Sequence, residues 1–162
     1  MAELTAESIA QRAMTLGVLD DRQVEDLWAS LGSRNVRPND FLQLCVRREF
    51  LTNYQVERLL GGDKNGFFFG DYKVQYYIGS GDTARVYRAT HRRTQQVVAI
   101  KVLRKRFSRR ESQYSRFLRD GELGRSLEHS NIVPVYEVCS LKKIHFLATE
   151  FVEGYNLLEF VK

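Results

Sequence analysis

The sequence predicts an α+β protein: a small four-helix bundle, followed by a five-stranded antiparallel sheet with one main helix. Two observations lead to this class. Residues 1–62 read as helices and contain an internal repeat, whereas the chain from Tyr72 onward reads as strand, glycine turn, strand, short connection and strand. Residues 63–71 between them read as a linker by the composition around Gly61, Gly62, Asp63, Asn65 and Gly66, so we expect domains at 1–62 and 72–162. The apolar run of Phe67, Phe68 and Phe69 is expected to pin this linker onto the sheet or the bundle.

The first 62 residues contain two copies of one helical hairpin. The second helix of each copy starts with a capping box, Asp20 with Gln23 in the first copy and Thr52 with Gln55 in the second. Two such hairpins can bury their apolar stripes against each other as a four-helix bundle. Because this segment shows no catalytic residues, we expect it to serve as a docking or regulatory module. Positions 32 residues apart match as Ile9, Gln11, Leu19, Gln23, Val24, Glu25 and Leu27 with Phe41, Gln43, Leu51, Gln55, Val56, Glu57 and Leu59.

Composition excludes several classes of protein. The N-terminus lacks the basic start and apolar run of a secretory signal, and no apolar stretch approaches the about 18 residues that a membrane helix needs. The two cysteines, Cys45 and Cys139, read as free thiols rather than a disulfide, and therefore indicate a reducing cytoplasm. We predict a cytoplasmic protein without a bound metal.

The net charge of +5 is concentrated in the second part of the chain. A basic run of this kind could contact nucleic acid. We favour a solvated face of a nucleotide-binding domain, because few aromatic residues are interleaved with the basic ones, as a nucleic-acid-binding surface would require. The basic residues are Arg85, Arg88, Arg92, Arg93, Arg104, Lys105, Arg106, Arg109, Arg110, Arg116, Arg119 and Arg125.

The most informative segment is IGSGDTARVYRATHRRTQQVVAIK, residues 78–101. Gly79 and Gly81 would let the backbone close over a triphosphate, because a side chain at either position would hold the loop away from its ligand. Val86 and Ala99 are small and apolar, as a purine ring enclosed between two surfaces requires. Lys101, at the end of the third strand, would place a positive charge against the phosphates. The glycine turn followed by V-x-R-A and then VAIKVL is a specific combination.

On these residues, the region 72–162 resembles the N-terminal lobe of a bacterial serine/threonine protein kinase of the eukaryotic-like type. Further segments match this family in the same order. The main helix, predicted near residues 111–127, is similar to the family's αC helix in its part around 117–127. The segment EHSNIVPVYEV (residues 128–138) is similar to the family's H-P-N-I-V segment. The final stretch IHFLATEFVEGYNLLEFV (residues 144–161) is similar to the strand and hinge that follow.

The resemblance implies that ATP, as Mg-ATP in a complete kinase, is the ligand. Within the implied site, Lys101 would hold the α- and β-phosphates and Thr149 would be the gatekeeper. Glu150 and Val152 would offer a backbone carbonyl and amide to the adenine edge, and Ala84 replaces the third glycine of the loop. The implied ATP-binding residues are Ile78, Gly79, Ser80, Gly81, Ala84, Val86, Ala99, Lys101, Thr149, Glu150 and Val152.

The αC-like helix departs from the family pattern. The glutamate that pairs with the lysine falls on Asp120, which is one methylene shorter, and we favour Asp120 over Glu122 as the partner of Lys101. The two carboxylates lie about 200° apart around a helix, so both cannot face the lysine. Gly124 lies on the inward face, where we expect an unfilled space and a loosely packed helix.

The 162 residues contain neither the H-R-D-x-x-x-x-N catalytic loop nor the D-F-G segment of the family. We therefore expect this chain to be inactive in phosphoryl transfer by itself. Two hypotheses remain open: the ATP-binding lobe of a serine/threonine kinase, or a non-catalytic, pseudokinase-like interaction module. Without a second lobe to cover it, the apolar floor of the adenine cleft would be exposed at Val86, Ala99 and Phe151. Such an exposed apolar patch would favour self-association.

Overall fold

The structure is a computed structural model that describes residues 4–155 and 157–161. The chain divides into two compact units. The first contains the residues up to Phe69 together with Val74–Tyr76, and the second contains Gly70–Lys73 and the residues from Tyr77 onward. The division falls inside one strand, Tyr72–Ser80, which contributes residues to both units.

The first unit contains four helices whose starts follow from the sequence. They are α1 (Ala6–Thr15), α2 (Asp21–Leu31), α3 (Pro38–Arg47) and α4 (Asn53–Leu60). Both predicted capping boxes are confirmed, because the side chains of Asp20 and Gln23, and of Thr52 and Gln55, exchange hydrogen bonds with each other's backbone amides. Pro38 begins α3, where the first backbone N–H groups of a helix have no intrahelical acceptor, so a residue that lacks an N–H fits this position.

These helices share one apolar core. Helix α1 contacts α3 and α4, and α2 contacts α3. The rings of Trp28 and Phe41 stack with their centroids 4.7 Å apart. Phe67, which follows the helices, is 1% exposed and belongs to the same core. Burial of this ring fixes the segment after α4 to the helices.

Two arginines fix the glycine-rich segment that follows α4. Arg12 Nη2 donates to the carbonyl of Asp63 at 3.1 Å, and Arg58 Nη2 donates to the carbonyl of Asn65 at 2.6 Å. Arg58 also forms an ion pair with the Asp63 carboxylate at 3.4 Å. Gly66 has a φ of 87° and passes so close to the Arg58 guanidinium that a Cβ would overlap it. Residues 63–66, the first part of the expected linker, are therefore bound to the helices of the first unit.

The sheet has the strand order β1-β2-β3-β4-β6-β5. Its strands are β1 (Phe68–Phe69), β2 (Tyr72–Ser80), β3 (Ala84–His91), β4 (Val97–Leu103), β5 (Val135–Leu141) and β6 (Ile144–Glu150). Three helices accompany it: α5 (Lys105–Ser108), α6 (Glu111–Arg125) and α7 (Leu157–Phe160). The β3–β4, β4–β6 and β5–β6 pairs are antiparallel. The predicted α+β class is confirmed.

The prediction of five strands was wrong, because the described residues form six. The additional strand, β1, has two residues and lies at the edge of the sheet. The amide of Val74 donates to the carbonyl of Phe67 at 2.8 Å, which holds the Phe67–Phe69 segment alongside β2. A two-residue strand carries no alternating pattern that the sequence could reveal.

Helix α6 lies close against the sheet at its two glycines. Gly121 is buried, and a Cβ there would overlap Leu147 and come within 3.1 Å of Val138 Cγ2. A Cβ on Gly124 would lie 3.0 Å from Val135 Cγ2. The expected unfilled space at Gly124 is therefore wrong: the strand side chains fill it, and the glycines permit a close approach of helix and sheet.

Across the described parts of the chain, none of the helices combines the length and the apolar character required to cross a membrane. Both cysteines are free thiols, as predicted, with Cys45 buried and Cys139 partly buried. Burial raises the pKa of the Cys45 thiol to about 12.

Candidate nucleotide-binding site

Strand register brings the predicted adenine and phosphate residues together on one face of the sheet. Val86 of β3 lies opposite Lys101 of β4, and Lys101 lies opposite Leu147 of β6. One step along, Ala99 of β4 lies opposite Thr149 of β6. Directly paired residues in antiparallel strands project to the same face. These side chains therefore form two adjacent rows, the first across β3, β4 and β6 and the second across β4 and β6.

This face is distinct from the core-facing side of β4. Val98 and Ile100 are buried at 1% and 0% exposure, whereas Ala99 between them is partly exposed and Lys101 is exposed. The alternation follows from the period of two in a strand. The structure therefore presents a small apolar residue and a lysine, two positions apart, on an accessible surface of the sheet.

The glycine turn connects β2 to β3. It is followed by Ala84, the first residue of β3, which lies two positions before Val86 of the first row. The amide of Gly81 donates to the carbonyl of Ala84 at 3.0 Å and closes the turn. A Cβ on Gly79 or Gly81 would meet no atom within 4 Å, and neither residue has a positive φ. The backbone conformation itself therefore does not require glycine at these positions. Because these glycines have no side chains, a ligand can approach the backbone of the turn closely, as binding of a phosphate by backbone amides requires.

Neither predicted carboxylate pairs with Lys101 in the described structure. Asp120 Oδ2 lies 3.8 Å from Arg116 Nε, and Glu122 Oε2 lies 3.1 Å from Arg125 Nη2. Both partners are on α6 itself, at the i,i+4 and i,i+3 spacings that favour such pairs. The role of Asp120 as partner of Lys101 stays a prediction.

The hinge residues follow β6. Thr149 Oγ1 lies 3.5 Å from the carbonyl oxygen of Ala99, at the outer limit of a hydrogen bond, and 3.2 Å from that of Glu150. Val152 is 63% exposed. Phe151 lies under the Arg88 guanidinium, whose central carbon is 5.3 Å from the ring centroid. The assigned binding roles of Thr149, Glu150 and Val152 stay predictions.

Sequence reasoning missed three arginines near this site. Arg88 is in β3, within the V-x-R-A segment, and it contacts Phe151, which follows β6 and is distant in the sequence. Arg104 Nη2 donates to the carbonyl of Gly81 at 3.0 Å, and Arg106 Nη2 donates to that of Asp82 at 2.9 Å. For Arg104 and Arg106 the sequence offers one signal, the R-K-R run immediately after β4, and the same run also fits a solvated charged face.

No cluster of three or more histidine, cysteine, aspartate or glutamate side chains suited to hold a metal ion occurs within residues 4–155 and 157–161. The arrangement that does occur is an antiparallel sheet, one main helix packed on it, a glycine turn, and a lysine beside a small apolar residue. This combination defines the class of protein as a kinase-type N-terminal lobe.

Comparison with known proteins establishes the family. The model of the protein kinase domain family matches residues 72–162, which is more than half of the chain, and the chain belongs to this family. Serine/threonine-protein kinase PrkC of Bacillus subtilis is 35% identical over 92 residues. Serine/threonine-protein kinase PknD of Chlamydia abortus is 32% identical over 91 residues.

A solved structure shows the same fold. The crystal structure of the PknI kinase domain of Mycobacterium tuberculosis superposes with a TM-score of 0.50 at 24% identity, covering 57% of this chain and 38% of that one. The matched regions cover 57% of this chain and 14% of PrkC, and 56% of this chain and 10% of PknD. Residues 72–162 therefore correspond to the N-terminal lobe of a bacterial eukaryotic-like serine/threonine kinase domain.

Proposed function

We propose that residues 72–162 bind ATP, and that they serve ATP-dependent phosphoryl transfer to protein serine or threonine when joined to a catalytic lobe. The observation that carries this proposal is the pair of cross-strand rows, Val86–Lys101–Leu147 and Ala99–Thr149, beside the glycine turn. The small side chains leave room for a flat base, and the lysine supplies a charge for the phosphates. ATP is the proposed ligand, and Mg-ATP the proposed substrate form.

The 162-residue chain by itself is proposed to be inactive in phosphoryl transfer. Transfer needs metal ligands and a group that orients the attacking hydroxyl, and the family supplies both from the catalytic loop and the D-F-G segment. Neither motif occurs in the sequence. Nucleotide binding and catalysis are therefore separate questions for this chain, and binding is the one to measure.

The test is a titration of the chain with Mg-ATP, in which binding is measured by calorimetry or by the fluorescence of a labelled nucleotide. Lys101→Met should weaken ATP binding by about tenfold or more, because it removes one charged contact to the phosphates. Lys143→Met, the same chemical change at the exposed β5–β6 turn, should leave binding unchanged. Absence of ATP binding by the unmodified chain would refute the proposal.

A second candidate is a non-catalytic, pseudokinase-like module that binds a partner protein. The pairing of Asp120 with Arg116, rather than with Lys101, favours it. In an active kinase the ion pair between the lysine and the helix carboxylate must be in place. Autophosphorylation by a longer chain that carries this lobe together with a catalytic lobe, lost on Asp120→Asn, would exclude this second candidate.

A further inference from the structure

The loop between β2 and β3 is held by residues that follow β4. Three consecutive carbonyls of the loop accept hydrogen bonds from this segment. Arg104 Nη2 donates to Gly81 O at 3.0 Å, Arg106 Nη2 donates to Asp82 O at 2.9 Å, and the backbone amide of Arg104 donates to Thr83 O at 2.9 Å. The donors are more than 20 residues away in the sequence, so these bonds fix the loop against another strand end.

The hydrogen bonds to the loop carbonyls also fix the direction of the neighbouring backbone amides. In a trans peptide the C=O and N–H groups point in opposite directions, and the described chain contains no cis peptide bond. The carbonyl of Gly81 shares its peptide with the amide of Asp82, and the carbonyl of Asp82 shares its peptide with the amide of Thr83. The amides of Asp82 and Thr83 therefore point away from the two arginines.

Two further features support a defined role for these arginines. The central guanidinium carbon of Arg106 lies 4.7 Å from the ring centroid of Phe107, which limits the freedom of the side chain. Arg104 is partly buried, and its backbone amide also holds the loop. Adjacent backbone amides pointing the same way are an anion-binding arrangement, and nearby positive charge strengthens it.

We propose that Arg104 and Arg106 are positioning residues of the nucleotide site. They hold the loop carbonyls on one side, and thereby present the amides of Asp82 and Thr83 to the phosphates of ATP on the other. The inference rests on the proposed function, since it concerns the same ligand. It adds two residues that bind the loop and not the nucleotide.

The experiment compares the double variant Arg104→Gln/Arg106→Gln with Lys105→Gln. Lys105 lies between the two arginines and is exposed, so its replacement is a control for the loss of positive charge in this segment. Each protein is titrated with Mg-ATP and with adenosine, which lacks phosphates. Hydrogen exchange of the Gly81 amide, which is bonded to Ala84 O at 3.0 Å, is measured without nucleotide.

The double variant should bind ATP about tenfold more weakly, with adenosine affinity unchanged, because lost loop order affects only the phosphate contacts. Exchange at Gly81 should accelerate, and Lys105→Gln should match the unmodified chain in every measurement. Equal losses for adenosine and ATP would overturn the proposal, as would a similar loss in Lys105→Gln or unchanged exchange at Gly81.

Failure of this inference and failure of the proposed function give different results. If the unmodified chain does not bind ATP, the proposed function is refuted and the loop has no phosphate to receive. If the unmodified chain binds ATP and the double variant binds it equally well, only the role of the two arginines is refuted.

Discussion

Replacing Gln55 tests how the helices of the first unit hold its Val74–Tyr76 segment. The Gln55 side chain is 1% exposed and makes two hydrogen bonds. Its Oε1 accepts from the amide of Thr52 at 3.0 Å, and its Nε2 donates to the carbonyl of Val74 at 2.6 Å. Gln23 occupies the matching position of the first repeat. Its Oε1 accepts the equivalent capping hydrogen bond, from Asp20 N at 3.0 Å, but among the described residues Gln23 has no counterpart of the bond from Gln55 to Val74. The two glutamines therefore form a matched pair.

The expected difference follows from what each substitution leaves without a partner. Gln23→Ala removes a partly exposed capping bond, which costs about 0.5–1 kcal/mol. Gln55→Ala removes the same kind of bond and also deprives the Val74 carbonyl of its donor, in a buried site where an unmet polar group costs about 1–3 kcal/mol. We expect Gln55→Ala to destabilise the first unit by about 2 kcal/mol more than Gln23→Ala.

The assay is urea denaturation followed by tryptophan fluorescence. Trp28 is the single tryptophan of the chain and is 9% exposed in the core of the first unit, so its emission reports the unfolding of that unit. With a denaturant slope of about 1 kcal/mol/M, the two variants should differ in midpoint by about 2 M. Equal midpoints for Gln23→Ala and Gln55→Ala would refute the reasoning.

Gln55→Glu provides a pH-dependent version of the same test. The substitution replaces the donor to Val74 with a carboxylate, and burial raises the pKa of a carboxyl group above its ordinary value of about 4.3. The penalty is absent below the ordinary pKa, where the group is protonated in both folded and unfolded states, and grows as the pH rises. The variant should therefore be closer in stability to the unmodified protein at acid pH than at neutral pH, and the opposite trend would contradict the contact.

Three further predictions concern packing and ionisation. Gly121→Ala should lower the thermal midpoint, measured by circular dichroism, more than Gly124→Ala, because the added Cβ overlaps the sheet more severely. Tyr72→Phe removes the 2.6 Å hydrogen bond to Glu137 and should cost about 1–2 kcal/mol in urea denaturation. Burial and Glu137 raise the pKa of the Tyr72 phenol, so an alkaline absorbance titration of this variant should lack one tyrosine that ionises above the ordinary tyrosine pKa. Burial raises the pKa of the Cys45 thiol to about 12, so iodoacetamide at pH 8 should label it only after unfolding, as read by peptide mass mapping.

Much of the fold and site was readable from local sequence signals. The capping boxes at Asp20 and Thr52 were correctly located because each depends on residues three positions apart. The main helix, expected near residues 111–127, extends over Glu111–Arg125. The spacing from the glycine turn to Lys101 indicated the kinase resemblance, and the family is confirmed. The functional roles of the site residues are still predictions.

What the sequence by itself determined is therefore the class of each segment: helical hairpins, glycine turn, strands and the family they belong to. Only the tertiary structure decided the contacts between segments: Gly121 against the sheet, Arg104 at the glycine loop, and Gln55 at the carbonyl of Val74. Capping, turn formation and alternation depend on neighbours within a few residues, so a linear pattern records them. Close approach and burial depend on which distant residues the fold brings together, and no local pattern specifies that.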